Sequence, residues 1–374
     1  MRYYIIAGEA SGDLHGSDLV TQIRATDPEA SIRAWGGDLM EAAGATVVKH
    51  YKDLAFMGFA EVVKHLGTIL ENIRWCKSDI LAFAPDAVIF IDYPGFNLRI
   101  AKWAKKQDLR CFYYITPQIW AWNTGRAKII KNTIEQLYAI LPFEREFYGQ
   151  YGMDVLFVGH PLKDRINRFI PEEKTIEYLR SPGKPILALL PGSRKQEIRK
   201  MLPIMLDAVK PFRDHSIALA MAPGIDADFY KDLTDEHLLQ DTELLFIRNK
   251  TYDLLSDAQI ALVTSGTATL ETALFNVPQI VVYKGSWLSY QIARRVIKVP
   301  YISLVNLILE KEVVPELIQN ECTPENIHKV LLQLLPGGEK RQGMLQEYSA
   351  LLDKLGPSGA SKRVAEDLID RIKK

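Results

Sequence analysis

The chain has 374 residues, 48% of them hydrophobic and 25% charged, with 46 basic side chains against 46 acidic ones. That length exceeds what one hydrophobic core usually organises, so two domains are expected. The balanced charge provides no global field for nucleic acid and argues against it as a partner.

Cys76, Cys111 and Cys322 are scattered and odd in number, which suits a reducing compartment rather than a disulfide framework or a zinc site. No secretory signal opens the sequence and no run reaches the roughly 18 apolar residues of a membrane span. A cytoplasmic protein is expected, with any membrane contact peripheral.

Along the chain, Tyr3–Ala7 reads as a strand cut off by Gly8-Glu9-Ala10-Ser11-Gly12-Asp13-Leu14-His15-Gly16. A helical pattern follows at Leu19, Val20 and Ile23, making a first strand–glycine loop–helix unit of an open α/β sheet. Such loops lie at the carboxyl ends of strands, where ligands bind. The glycine spacing is not that of a dinucleotide fingerprint, and Glu9 and Asp13 would repel a pyrophosphate. A tight turn with Asp13 capping the helix is the plainer alternative.

Ser31–Trp35 and Ala45–Val48 read as further strands. Phe56, Phe59, Val63, Leu66 and Leu70 then recur at helical spacing near Lys52 and Lys64. This is either an amphipathic helix packed on its own domain or a surface helix that dips into a bilayer. Ala87–Ile91, Cys111–Ile115, Gln136–Leu141 and Val155–Val158 read as strands, the first apolar enough to be buried on both faces of a parallel sheet. They end respectively at Asp92–Asn97, Thr116–Trp122, Pro142–Glu144 and Gly159–Leu162.

The charged stretch 163–184, with Pro171 and Pro182-Gly183, reads as a linker. A second βα series follows at Pro185–Leu190, Ser216–Ala220, Glu243–Ile247, Ala258–Val263 and Gln279–Tyr283. The expected fold class is α/β: two Rossmann-like, doubly wound domains with a cleft between them. The domains are expected at 1–162 and 163–344, and the helical tail 345–374 either packs back on the first or is exchanged within a homodimer.

Several strand ends carry candidate chemistry. Leu190-Pro191-Gly192-Ser193-Arg194 opens a helix whose free amides, with the Arg194 guanidinium, suit an anion; a plain turn with a surface arginine is the alternative. Ser265, Gly266 and Thr267 offer amides and hydroxyls at the next such helix. Glu271, one turn further on, can accept both hydroxyls of a ribose or merely favour the helix dipole. Together these point to a nucleotide diphosphate in the second domain. Asp92 is a lone carboxylate at the end of an apolar strand, suited to a general base or to an Asx turn. His160 can polarise a bound group or simply serve as a hydrogen-bonded hinge residue. No metal-ligand constellation is present among the scattered histidines, and Asp226-Ala227-Asp228 reads as a turn.

Taken together, the segments 7–13, 57–62, 91–97, 116–122, 158–161, 190–194, 265–271 and 314–319 resemble, in order, the lipid-A-disaccharide synthases, inverting glycosyltransferases of the GT-B architecture. This chain has Pro94-Gly95-Phe96-Asn97 where the family often shows Pro-Asp-Phe-Asn. The resemblance implies transfer of a sugar from UDP-2,3-diacylglucosamine to the 6-hydroxyl of 2,3-diacylglucosamine 1-phosphate, giving a β-1,6-linked disaccharide and UDP without a cofactor. It implies Asp92 as the base. It puts Gly192, Ser193, Arg194, Ser265, Gly266, Thr267, Glu271, Asn306 and Gln319 on the donor side, and Glu9, Ser11, Asp13, Asn97, Gln118 and His160 on the acceptor side. It also implies Phe56, Met57, Phe59, Val63 and Leu66 as contacts to acyl chains or to the inner-membrane surface of a Gram-negative-type bacterium. The alternatives are another UDP-GlcNAc enzyme of the same architecture, an epimerase or a lipid II-forming transferase, and a non-catalytic nucleotide-binding peripheral membrane protein.

Overall fold

The computed structural model describes residues 1–54, 66–122, 124–235, 244–285 and 299–374. The chain divides into two compact units, Met1–Asp164 with Leu355–Lys374, and Arg165–Lys354.

The first unit is built on a parallel sheet of β1 (Arg2–Ala7), β2 (Ser31–Gly36), β3 (Thr46–His50), β4 (Ala87–Ile91), β5 (Cys111–Tyr114), β6 (Gln136–Ala139) and β7 (Val155–Phe157). Their order is β3-β2-β1-β4-β5-β6-β7. Every residue of β4 and of β5 is buried, as expected for strands covered on both faces by helices. β1 lies beside β4 in the register Tyr3↔Ala87 to Ala7↔Ile91. The winding reverses direction between these two strands, so their carboxyl ends form a switch point where an open α/β sheet leaves a crevice.

The second unit repeats the scheme. Its strands are β8 (Ile186–Leu190), β9 (Ser216–Met221), β10 (Leu244–Arg248), β11 (Ala258–Thr264), β12 (Gln279–Tyr283) and β13 (Glu316–Ile318). The order β10-β9-β8-β11-β12-β13 puts its switch point between β8 and β11, where Leu190 pairs with Val263.

Three local expectations change in the structure. Residues 163–184 are not an open linker but carry helices, Pro161–Asn167 and Glu173–Arg180. The second is anchored by buried Leu179 and by Arg180, whose Nε lies 2.9 Å from Asp257; the charge seen in sequence is its outer face. The stretch after β1 is mostly helix, beginning at Ala10. Glycines four residues apart fall on one helical face, and that face is pressed against its neighbours. A Cβ on Gly12 would lie 3.0 Å from the Ala7 Cβ, and one on Gly16 would lie 2.5 Å from the Met40 sulfur. Asp13 does not cap its own helix. Its buried carboxylate accepts from the amides of Gly37 (2.7 Å), Leu39 (3.2 Å) and Met40 (3.0 Å), capping the helix Asp38–Ala42 instead.

The tail divides between the units. The helix Arg341–Lys354 belongs to the second, whereas Ala360–Lys373 packs on the helix Ala10–Thr26 of the first. Asp164 caps this last helix through the amide of Ala360 (2.9 Å), and the Tyr138 hydroxyl donates to Asp367 (2.9 Å). Among the described residues no helix is long and apolar enough to cross a membrane.

Candidate active site

At the switch point of the first unit, β4 ends in a strained turn. Asp92 (φ 44°) and Tyr93 (φ 49°) are consecutive non-glycine residues in the left-handed region, at a cost of about 1–2 kcal/mol each. The helix Pro94–Ala104 starts directly afterwards, with proline in its first turn, where its missing N–H is harmless. The Asp92 carbonyl accepts from Asn97 Nδ2 at 2.7 Å and from the Tyr113 hydroxyl. The same Asn97 amide reaches the carbonyls of Ile91 (3.3 Å) and Ile6 (3.4 Å), tying the ends of β4 and β1 together. Asn97 is fully buried.

The Asp92 carboxyl is pushed up to about 6, first by burial and then by the neighbouring charge of Glu9, against a backbone amide from Tyr93. Gly8 precedes Glu9 because nothing larger fits: a Cβ there would lie 2.3 Å from the Tyr93 ring. The structure therefore brings Glu9, Asp92 and Asn97 together. Ser11 is exposed on the first turn of its helix, whereas Asp13 is turned away to cap Asp38–Ala42.

The next strand end is held in a similar way. Ile115, a β-branched residue, sits at φ 60°, a genuine outlier for its type. Beyond it, Thr116 donates to the buried Glu144 carboxylate at 2.6 Å and Trp120 Nε1 does so at 3.2 Å. The amides of Leu141 (3.0 Å) and Ile140 (3.3 Å) complete a set of four donors. Burial pushes Glu144 up to about 7 against these bonds. The Tyr148 hydroxyl fixes the Pro117 carbonyl at 2.6 Å. The result is a rigid loop from which Gln118 projects, exposed between buried Pro117 and Ile119. His160, after β7, is buried; its Nδ1 accepts from the Leu162 amide at 3.3 Å. Burial, with His15 adding to it, pushes His160 down to about 3, so the imidazole is neutral.

At the switch point of the second unit, the loops after β8 and β11 emerge side by side. Gly192 adopts φ 113°, and a Cβ on it would lie 3.0 Å from Glu197 Oε2 and 3.6 Å from Thr264 Cγ2. Ser193 and Arg194 are exposed, Arg194 standing just before the helix Lys195–Val209 and donating to Glu197 at 3.0 Å. Ser265 hydrogen-bonds the Ile302 carbonyl at 2.9 Å, and Gly266 and Thr267 open the helix Thr267–Leu274 with both residues exposed. Amides at the start of such helices lack intrahelical partners and are available to an anion. Glu271 accepts from Tyr252 at 2.8 Å, and burial raises its pKa from the ordinary value while that hydrogen bond and Arg165 oppose the rise.

The two remaining donor-side residues differ. Gln319, at the end of β13, has its Nε2 buried without a partner among the described residues. Asn306 is fully buried and its amide is used internally. Nδ2 donates to Val314 (2.8 Å) and Glu316 (2.9 Å), and Oδ1 accepts from Val313 (2.7 Å) and Val314 (3.0 Å). Phe56, Met57, Phe59, Val63 and the Leu66 side chain lie outside the described residues.

Sequence reasoning missed Tyr113, Glu144, Tyr252 and Glu316. Glu144 left the clearest trace, an acid just after a strand in Pro142-Phe143-Glu144. The tyrosines read as ordinary strand or helix aromatics.

Two parallel sheets, of seven strands and of six, each wound outwards from a loop-lined switch point, define the class of two-domain α/β proteins with the GT-B architecture. The fold is similar to that of UDP-GlcNAc 2-epimerase from Neisseria meningitidis bound to UDP-GlcNAc, with a TM-score of 0.69, 12% identity and coverage of 99% of this chain and 100% of that one. It is also similar to the glycotransferase of kitacinnamycin, with a TM-score of 0.66, 13% identity and coverage of 99% and 98%. Within that class the sequence is specific. Residues 3–365 match the model of the lipid-A-disaccharide synthetase family, and the chain belongs to that family. A lipid-A-disaccharide synthase of Syntrophus aciditrophicus is 42% identical over 376 residues, covering 99% of this chain and 97% of that one. The chain is thus a hexosyltransferase of lipid A disaccharide formation, acting on a sugar nucleotide and a lipid acceptor.

Proposed function

We propose that the chain transfers the sugar of UDP-2,3-diacylglucosamine to the 6-hydroxyl of 2,3-diacylglucosamine 1-phosphate, with Asp92 as the base. The observation that carries this reading is the placement of Asp92 at the β1–β4 switch point, in a left-handed turn held by Asn97 and Tyr113, where burial and the charge of Glu9 push its carboxyl up to about 6. A base of that strength is largely ionised at neutral pH yet can take the proton that the acceptor hydroxyl loses as it attacks. Attack at the anomeric carbon inverts it in one displacement, so no protein nucleophile is needed. The proton goes to Asp92 and the bonding pair leaves with UDP.

On the donor side, Gly192 and Ser193, with Gly266 and Thr267, offer backbone amides to the diphosphate. Arg194 adds charge where negative charge develops on the leaving group. Glu271 takes the ribose hydroxyls and Gln319 contributes its amide, while Ser265 and Asn306 act by shaping the loops. On the acceptor side, Glu9, Ser11, Gln118 and neutral His160 are assigned to sugar and phosphate contacts, and Asp13 and Asn97 to holding the walls. Both substrates carry acyl chains, so the segment containing Phe56, Met57, Phe59, Val63 and Leu66, with Lys52 and Lys64, is proposed to meet the cytoplasmic face of the inner membrane.

The test is direct. Purified protein is incubated with both acylated sugars, and UDP and disaccharide are measured. Stoichiometric release of the two supports the reaction; a folded protein that releases neither removes it.

A further inference from the structure

The turn at Asp92 is unfavourable by itself, since Asp92 and Tyr93 both have positive φ, so the surrounding structure must hold it. Its central carbonyl, that of Asp92, lies at the end of β4, where the ladder to β5 gives out: Phe90 pairs with Tyr113 and Ile91 with Tyr114. Two side chains grip that carbonyl. One is Asn97, at 2.7 Å; the other is Tyr113, which reaches forward from β5 and donates its hydroxyl.

Tyr113 is wholly buried and packs its ring near Phe90, with centroids 5.7 Å apart. A phenylalanine would fill the same space without a hydroxyl to bury, and a buried hydroxyl costs stability unless it is bonded. The hydroxyl is bonded, and its partner is the main chain of the proposed base. Burial, reinforced by the charge of Asp92, drives the Tyr113 pKa well above its ordinary value, so the group remains a donor at every working pH.

We propose that Tyr113 is a positioning residue for the glycosyl transfer: it touches no substrate and acts by locking the left-handed backbone that aims the Asp92 carboxylate. The inference rests on the reading of Asp92 as base.

The test uses Tyr113→Phe in the full chain, with Asp92→Asn in parallel. Misplacing a catalytic group by a fraction of an ångström to an ångström is expected to lower kcat by about ten- to a hundredfold. Both KM values should stay within about twofold, because no substrate contact is removed. The acid limb of the pH dependence of kcat/KM should move to lower pH as the carboxylate relaxes towards water. An effect on the fold alone would leave that limb in place. A Tyr113→Phe enzyme with unchanged kcat and limb, beside an inactive Asp92→Asn enzyme, overturns the role of Tyr113 and spares Asp92. An Asp92→Asn enzyme with undiminished turnover removes Asp92 as base and the inference with it. A fall in kcat accompanied by a rise in KM at an unmoved limb also overturns the proposal. Should Tyr113→Phe not fold, Asn97→Ala removes the other donor to the same carbonyl, and an unmoved limb in that variant overturns the clamp.

Discussion

A Cβ on Gly8 would lie 2.3 Å from Cδ1 of Tyr93, so the first strand end and the fourth fit together only because position 8 has no side chain. Tyr93 has little room to retreat, since its ring stacks on Phe96 at 5.7 Å and its backbone is already left-handed. Gly8→Ala should therefore destabilise the protein by about 1–3 kcal/mol, the usual cost of overpacking. It should also lower kcat, because the displaced ring adjoins Asp92. Thermal melting and turnover check both; an alanine variant with wild-type values would mean that Tyr93 can swing aside.

The carboxyl of Asp92 sets a pH dependence. Only the ionised form accepts a proton, so kcat/KM is expected to rise with pH through about 6 and level off above it. Glu9→Gln removes a nearby negative charge, which lowers the Asp92 pKa and shifts the limb to lower pH. A limb unmoved by Glu9→Gln would disconnect the two carboxylates.

Glu144→Gln swaps nearly identical shapes but not hydrogen-bonding sense. The carboxyl group accepts from Thr116, Trp120, Ile140 and Leu141 and carries at most one proton, whereas the amide nitrogen would point two N–H groups at those donors. The expected loss is about 1–3 kcal/mol, seen as a lower Tm. The pH trend has a definite sign. The folded-state value of about 7 lies above the ordinary 4.5, so the Glu144 contribution is complete below 4.5 and is lost as pH rises through 7. The Tm gap between wild type and Glu144→Gln should narrow across that window; a gap that widens would show that the four donors outweigh burial.

The Arg194 side chain is exposed and bonded only to Glu197 among the described residues, so Arg194→Ala should leave Tm nearly unchanged. Loss of a charge-assisted phosphate contact should weaken UDP binding by about tenfold, or 1.4 kcal/mol. Calorimetric titration with UDP measures it, and equal affinities would place the diphosphate elsewhere.

The strands were readable because burial on both faces leaves an unbroken apolar run, as in Ala87–Ile91. The loops at Gly192 and Ser265 were readable as strand-to-helix turns because glycine and hydroxyl residues there break an apolar run just before a helical pattern. What stayed hidden depends on partners distant in sequence. Asp13 caps a helix that begins 25 residues later; the spacing of its own helix says nothing about that. Tyr113 looks like any aromatic in a core strand until its hydroxyl is followed to Asp92. Asn306 reads as a loop amide open to a ligand, yet Val313, Val314 and Glu316 use all of it. The stretch 163–184 misled for another reason: a short helix with one buried leucine resembles a charged linker when only composition is read.

The helix Ala360–Lys373 packs on the helix Ala10–Thr26, so the first unit is completed by a segment that follows the whole of the second in the chain. On the ribosome, residues 165–354 must be made before that cover exists, a delay of roughly ten to forty seconds at ~5–20 residues per second. Through that interval the side of the helix Ala10–Thr26 on which the tail helix packs stays uncovered, and it is then that a chaperone would find a hold on the first unit.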